Sequence, residues 1–144
     1  MQKTYVTKLK DIKRQWHLVD LKGKILGRVG TEISQLLMGK NKVYYTSHLD
    51  CGDFVVCINA AEVEVTGKKK KQKIYYRHSG YPGGLKALTF SQQMAKDPRK
   101  IIERAIKNML PKNKLRDRRM ARLKVFSGPE HIYKDKFTKS DRLD

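Results

Sequence analysis

The sequence predicts an α/β fold with a partly parallel sheet, because a helical pattern lies between two strand-like apolar runs. The first run, Trp16–Asp20, is followed by a turn at Gly23. The second run, Phe54–Ile58, is apolar at every position, as in a strand that is covered on both faces of its sheet. A strand, a helix and a buried strand in this order favour a right-handed βαβ unit, in which the two strands lie parallel.

The helix between these strands is predicted from apolar residues that recur at intervals of three and four positions. Gly39 stands where such a helix would end, because glycine readily takes the left-handed conformation found at helix C-termini. The apolar positions are Leu26, Val29, Ile33, Leu36 and Leu37.

Two further strands are predicted over residues 63–65 and 74–76, joined by a lysine run as an extended basic hairpin. In an alternating strand, one of Tyr75 and Tyr76 should face inward. Residues 79–86 contain three glycines and one proline and are predicted to form a loop.

Local signals also predict helices in the second half of the chain. Thr89 and Gln92 fit a capping box, and Asp97 followed by Pro98 fits the start of another helix, which Pro111 would end. The apolar stripe of that helix is Ile101, Ile102, Ala105, Ile106, Met109 and Leu110.

The remaining pattern predicts a further helix over residues 115–122 and a last strand over residues 124–126. No repeat or linker divides the chain. We therefore expect one domain over residues 1–144, of which residues 128–144 form a polar C-terminal tail.

The overall composition argues against several classes of protein. Hydrophobic residues make up 39% of the 144 residues, and the longest strongly apolar run, Phe54–Ile58, is far too short to span a bilayer. Residues 1–10 are polar and basic and contain no apolar signal core, which favours a cytosolic protein. Cys51 and Cys57 are too few for a disulfide framework.

Positive charge is concentrated in the second half. Lysine and arginine number 33 against 14 aspartate and glutamate, which gives a net charge of +19. Residues 65–124 hold 19 of the basic side chains and 3 acidic ones, for a net +16, and residues 65–96 contain no acidic side chain. A surface that is merely soluble mixes both signs, so this asymmetry predicts a face for a polyanion, more simply nucleic acid than a membrane.

Three clusters are candidates for that face: the lysine run and the strand after it, the glycine loop, and the basic residues after Pro111. Lysines and arginines neutralise phosphates, glycines let a backbone approach them closely, and tyrosines could stack on unpaired bases or close the core. The alternatives are a solvated hairpin tip, an ordinary surface loop and a solvated helix. The predicted RNA-binding residues are Lys68, Lys69, Lys70, Lys71, Lys73, Arg77, His78, Tyr81, Gly83, Gly84, Lys86, Lys112, Lys114, Arg116, Arg118, Arg119, Arg122 and Lys124.

Signals for catalysis or metal binding are weak. His48, Cys51, Cys57 and His78 lack the paired spacing of a zinc knuckle, and Cys57 lies in a predicted buried strand, where cysteine acts as a small apolar residue. His48 with Asp50 or Asp53 could form an acid–base pair, but no nucleophile or second carboxylate is placed to complete a site. We therefore predict no catalytic residue, metal, cofactor or small-molecule substrate.

Short motifs occur in order from about Lys3 to His131, and the most specific covers residues 73–86, with the run Tyr-Tyr-Arg-His-Ser-Gly-Tyr-Pro-Gly-Gly inside it. The others lie at residues 16–20, 23–28, 52–53, 59–60, 66–68, 109–113 and 123–128. Together they resemble the large-subunit ribosomal protein L13 family in its bacterial or organellar form.

This resemblance implies a single three-layer α/β/α domain around a small, mostly parallel sheet. It also implies a structural constituent of the large ribosomal subunit, in the cytoplasm or in an organelle with bacterial-type ribosomes, that serves translation and ribosome assembly. Its partners would be large-subunit rRNA, which it would help to fold, and neighbouring ribosomal proteins. The alternative use of the same basic face is a free-standing RNA-binding translational regulator or a nucleic-acid enzyme.

Overall fold

The computed structural model describes residues 6–137 and the backbone of residues 142–143. In these ranges, no helix has both the length and the apolar character needed to cross a membrane. The helices are α1 (Leu26–Met38), α2 (Lys69–Gln72), α3 (Phe90–Lys96), α4 (Pro98–Met109) and α5 (Leu115–Ala121). The strands are β1 (Trp16–Asp20), β2 (Phe54–Ile58), β3 (Ile74–His78), β4 (Leu85–Thr89), β5 (Leu123–Val125) and β6 (Arg142–Leu143).

The main sheet has the strand order β5-β2-β1-β6, and every neighbouring pair in it is parallel. Val19 of β1 lies opposite Cys57 of β2, and Val55 of β2 lies opposite Leu123 of β5. The helix α1 connects β1 to its parallel neighbour β2. The predicted α/β class, with a βαβ unit and a small parallel sheet, is therefore confirmed.

The central strand β2 is covered on both faces, which explains its unbroken apolar run. Val55 and Cys57 are fully buried in the main core, which also contains the apolar stripes of α1 and α4. Val56, on the opposite face, is equally buried. On that face the Trp16 ring stacks on Phe54, with ring centroids 4.4 Å apart, and so anchors an aromatic cluster beside the core.

The helix termini follow the local chemistry that the sequence predicts. Gly39 ends α1 in the left-handed conformation, with φ of 77°. Thr89 and Gln92 form the reciprocal hydrogen bonds of a capping box before α3. Asp97 caps α4, whose first residue is Pro98. These predictions are confirmed. Each could be made from the sequence because it depends on residues only a few positions apart.

The predicted pairing of the basic hairpin is wrong. Residues 63–65 form no strand, apart from a single bridge between Glu64 and Ile25, and the lysine run folds into the short helix α2. The strand β3 instead pairs antiparallel with β4, a strand that the sequence interpretation missed. The glycine loop is the hairpin connection, because its glycines supply the positive φ angles that a tight reversal requires.

Candidate nucleic-acid interface

The lysine run lies on an exposed helical turn beside the hairpin. Lys68–Lys71 all have exposed side chains, and in the part of the chain that the structure describes none of them forms an ion pair. The turn is held in place through its backbone, since the Ser91 hydroxyl donates to the Lys70 carbonyl at 3.1 Å and the Phe90 amide donates to the Lys73 carbonyl at 2.9 Å. The lysine side chains therefore remain available to a partner.

The glycine loop presents an open backbone at the tip of the hairpin. The Gly84 amide donates to the Tyr81 carbonyl at 3.0 Å, and the Ser79 amide donates to the Gly84 carbonyl at 3.3 Å. Gly83 has φ of 72°, and a Cβ atom built on it would meet nothing within 4 Å. A Cβ atom on Gly84, by contrast, would lie 2.0 Å from the Ser79 hydroxyl. Gly83 thus offers exposed backbone, whereas Gly84 is required by the packing of the turn.

A groove of about 690 Å³ separates the hairpin from α4. Basic side chains from both walls line it, with two carboxylates among them. The hairpin supplies Arg77 and Lys86, the end of α3 supplies Lys96, α4 supplies Lys100, Arg104 and Lys107, and the carboxylates belong to Glu103 and Asp117. The groove therefore collects positive charge from segments that are separate in sequence.

The basic residues of α3 and α4 were missed by the sequence interpretation. A signal for them exists, because Lys100, Arg104 and Lys107 recur at intervals of four and three positions and so share one face of α4. That face lies opposite the buried stripe of Ile102 and Ile106. The spacing that predicts the apolar side of α4 therefore also marks its basic side.

Tyr75 lies between the hairpin and α4, and its ring is close to two cations, one from the residue before β3 and one from α4. Lys73 Nζ and Arg104 Cζ each lie 5.3 Å from the ring centroid. Burial raises the pKa of Tyr75, which the nearby Arg104 opposes, and its hydroxyl has no hydrogen-bond partner among the described residues. Tyr76 is 54% exposed while Tyr75 is 8% exposed, so the predicted alternation of the two rings is confirmed.

Arg104 also fixes the hairpin to α4 directly. Both of its terminal nitrogens donate to the Tyr76 carbonyl at 3.4 Å. The same guanidinium therefore orients the hairpin and contributes positive charge to the groove.

The basic cluster after Pro111 divides into exposed and buried members. Arg119 is 1% exposed and Arg122 is 6% exposed, so neither side chain reaches the surface. The exposed members are Lys112, Lys114 and Arg118, and the half-buried ones are Arg116 and Lys124.

The buried arginines converge on Asp50. Two guanidinium nitrogens of Arg122 donate to the two carboxylate oxygens of Asp50, and one of them also donates to the Leu37 carbonyl at 3.2 Å. Arg119 Nε lies 3.8 Å and Arg14 Nη1 lies 3.6 Å from the same carboxylate, which are ion-pair distances. Burial raises the pKa of Asp50, but the hydrogen bonds and charges of the arginines outweigh it, so the net pKa is lowered.

Arg119 and Arg122 are therefore removed from the candidate interface, because their guanidinium groups already hold an internal carboxylate. Asp117 is the one acidic residue in the sequence from 112 to 124, but it is not the carboxylate that these arginines meet. Asp117 is exposed and lines the groove, whereas Asp50 lies 72 positions before Arg122. Local sequence spacing contains no signal for so distant a pair.

Among the candidates for catalysis or zinc binding, the two aspartates have structural partners and the two cysteines are buried, whereas His48 is exposed. Asp53 is buried, accepts hydrogen bonds from Lys42 and the Gln15 amide, and lies 3.1 Å from the Nε2 atom of His17. Cys57 is fully buried, and burial raises the pKa of its thiol to about 12. In residues 6–137, no group of three or more histidine, cysteine or acidic side chains is arranged to hold a metal ion.

Matches to known proteins cover nearly the whole chain. The family model described as ribosomal protein L13 matches residues 14–132. The protein named large ribosomal subunit protein uL13 from Symbiobacterium thermophilum is 50% identical over 131 residues, which cover 91% of this chain and 92% of the relative. Its namesake from Thermotoga maritima is 51% identical over 131 residues, covering 91% and 88%, and that from Thermobifida fusca is 50% identical over 129 residues, covering 90% and 87%.

These matches agree with the resemblance seen in the ordered motifs. They are to bacterial ribosomal components, and the family consists of structural proteins rather than enzymes. The chain belongs to the ribosomal protein L13 family.

Proposed function

We propose that the protein is a structural constituent of the large ribosomal subunit that binds large-subunit rRNA and helps it fold during assembly, beside other large-subunit proteins. The observation that carries this proposal is the basic groove between the hairpin and α4, together with the exposed lysines of α2. Internal carboxylates do not neutralise this positive charge, so it can bind a polyanion.

The groove suits a folded RNA backbone better than a small ligand. Its lysines and arginines come from two walls, so phosphates of neighbouring strands can be neutralised together, with release of their counterions. Glutamate and aspartate are few along its walls, and the hairpin itself carries none.

The proposed contact set combines exposed and half-buried residues of the hairpin side, of the α3–α4 side and of the segment after Pro111. Their shared features are basic charge, an open backbone or an exposed ring. The members are Lys68, Lys69, Lys70, Lys71, Lys73, Arg77, His78, Tyr81, Gly83, Gly84, Lys86, Lys96, Lys100, Arg104, Lys107, Lys112, Lys114, Arg116, Arg118 and Lys124.

Salt dependence of RNA binding tests this proposal. If the interface neutralises about six phosphates, the logarithm of the affinity should fall with the logarithm of salt concentration with a slope of roughly −4 to −5. Filter binding of the full chain to a structured large-subunit rRNA fragment at several potassium chloride concentrations measures this slope. A slope near zero would contradict an electrostatic RNA interface.

Retention on ribosomes separates a structural constituent from a translational regulator or a nucleic-acid enzyme that uses the same face. A core constituent should stay with purified large subunits through a high-salt wash and should crosslink to large-subunit rRNA within them. A protein that is quantitatively washed off, while the other core proteins remain, is a factor rather than a constituent.

A further inference from the structure

The β3–β4 hairpin has two chemically different faces. Tyr75, Tyr76 and Arg77 all border the groove, where the Tyr76 carbonyl accepts hydrogen bonds from Arg104. Side chains alternate between faces along a strand, so the Tyr76 side chain points away from the face that carries Tyr75 and Arg77. Cross-strand partners share a face, so the register of the hairpin defines the opposite side, here called the outer face. The outer face carries Ile74, Tyr76 and His78 from β3 and their partners Thr89, Ala87 and Leu85 from β4.

The outer face is mostly apolar, carries no lysine, arginine or carboxylate, and is largely open to solvent. Ile74, Tyr76 and Leu85 are 44%, 54% and 59% exposed, and Tyr81 in the connecting turn is 74% exposed. Isolated apolar residues on a surface need no explanation, but a contiguous set on one small sheet marks an interaction site.

The surroundings of the outer face indicate what its occupant must be. The exposed lysines of α2 immediately precede Ile74, and Arg77 and Lys86 lie on the reverse side of the same two strands. Residues 65–96 contain no acidic side chain. The occupant must therefore present flat apolar groups to the sheet and negative charge to its edges, which unpaired RNA does with its bases and phosphates.

We propose that the outer face binds unpaired bases of the rRNA, with the exposed ring of Tyr76 as the stacking platform. This inference rests on the proposed function and adds to it a division of labour, in which the groove holds phosphates and the outer face holds bases. Double-stranded RNA cannot satisfy the outer face, because its bases are stacked inside the helix.

His78 gives the outer face a fixed polar group beside the apolar ones. Its Nδ1 atom accepts a hydrogen bond from the Gly80 amide at 2.9 Å, which orients the ring. In the neutral imidazole this leaves the Nε2–H group as a donor. A base that stacks on Tyr76 therefore has a neighbouring donor for one of its edge acceptors.

The experiment compares two RNA probes with the full chain. One probe is a fully paired RNA hairpin, and the other is the same hairpin with an internal loop of unpaired adenines, one of them replaced by 2-aminopurine. Tyr76→Leu should weaken binding of the looped probe between about fivefold and about a hundredfold and leave the paired probe unchanged. Tyr76→Phe, which keeps the aromatic ring, should bind like the parent.

The 2-aminopurine fluorescence adds a direct reading of stacking. The parent and Tyr76→Phe should quench it, and Tyr76→Leu should not. Val43→Ala, which shortens a fully exposed apolar side chain outside the hairpin, is the control and should change neither affinity nor quenching. Thermal unfolding of each variant should match the parent, because Tyr76 is mostly exposed.

Failure of this inference can be told apart from failure of the proposed function. If the parent binds both probes with steep salt dependence, but Tyr76→Leu weakens both equally or neither, the base-binding face is refuted and RNA binding stands. If Tyr76→Leu binds both probes normally yet is lost from large subunits in a salt wash, the outer face docks a protein and the inference is also refuted. If the parent binds neither probe, the proposed function itself fails.

Discussion

The chain contains two sets of cationic side chains that look alike in sequence and differ in environment. Arg119 and Arg122 are buried and meet the carboxylate of Asp50, whereas the lysines of α2 are exposed and form no ion pair within residues 6–137. The buried arginines can therefore only stabilise the fold. The second set has charge left over for a partner.

This difference shows that the density of basic residues does not by itself identify an RNA-binding surface. The segment after Pro111 has one of the highest densities of arginine in the chain, yet two of its arginines are internal. What decides the role of each side chain is the position of the nearest carboxylate. That carboxylate belongs to the segment before β2, far away along the chain.

The largest expected effect comes from removing the carboxylate that the buried arginines share. Asp50→Ala leaves Arg119 and Arg122 inside the protein without a counterion, which should lower the free energy of unfolding by about 3–5 kcal/mol. Urea unfolding followed by circular dichroism measures the loss. Asp117→Ala is the control, since Asp117 is exposed, and it should change stability by no more than about 0.5 kcal/mol.

If Asp50→Ala lowers the free energy of unfolding as little as Asp117→Ala, the buried arginines do not differ from the exposed lysines in the way proposed here. This result would mean that the arginines turn outward when Asp50 is absent and that they are available to RNA after all.

Acid should act on the buried set in a defined direction. Burial raises the pKa of Asp53, but hydrogen bonds from His17, Lys42 and the Gln15 amide outweigh it, and the net pKa is lowered, as it is for Asp50. A carboxylate with a lowered pKa contributes stability that is fully present above its unfolded pKa of about 4 and is lost as pH falls through its folded pKa. The free energy of unfolding should therefore fall steeply below about pH 4.

Asp53→Asn isolates this contribution from the other titrating groups. The stability difference between the parent and this variant should be constant at neutral pH and should shrink as the pH falls below about 4. Urea unfolding of both proteins across this range measures the difference. A gap that stays the same down to pH 2 would mean that Asp53 gains no stability from its charged partners.

The parts of the fold that could be predicted from sequence are those that local chemistry determines. The ends of α1, α3 and α4 depend on Gly39, Thr89 and Asp97 and their near neighbours, and β2 is marked by its own apolar run. The predicted pairing of β3 is wrong, because both neighbouring segments, residues 63–65 and 85–89, are possible partners in the sequence and the glycine turn selects the second. Distant ion pairs, such as that of Arg122 with Asp50, have no comparable signal.

The candidate interface likewise has parts that the sequence predicts and parts that only the fold reveals. The exposed lysines and the glycine loop were found from composition alone, while the groove depends on α4 packing beside the hairpin through Arg104 and Tyr75. The basic face of α4 was readable from its spacing. That it faces the hairpin could be known only from the fold.

The exposed set should affect RNA binding without affecting stability. Replacing Lys68–Lys71 together by alanine should change the free energy of unfolding little, since surface substitutions usually stay within about 0.5 kcal/mol each. RNA affinity should drop, and the salt slope should flatten by up to roughly 3 if all four lysines contact phosphates. Filter binding at several salt concentrations, beside thermal unfolding, measures both quantities.

A matched control removes the same charge from another region. Alanine at four exposed lysines of the first forty residues lowers the net charge equally but should leave most of the salt slope intact. These lysines are Lys8, Lys10, Lys13 and Lys40. If both quadruple variants flatten the slope by the same amount, only net charge matters and the α2 turn has no special role.

The smallest expected effect tests the open backbone of the glycine loop. Gly83 has φ of 72°, a conformation that asparagine and aspartate tolerate better than other residues, and a Cβ atom there meets nothing within 4 Å. Gly83→Asn and Gly83→Asp should therefore unfold at similar temperatures and differ mainly by one negative charge. If this backbone approaches a phosphate, Gly83→Asp should bind structured RNA a few times more weakly than Gly83→Asn, because exposed charge interactions are worth about 0.2–1 kcal/mol. The difference should shrink in high salt. Equal affinities at low salt would show that the loop lies away from the RNA, and the exposed charges would then act only from α2 and the groove.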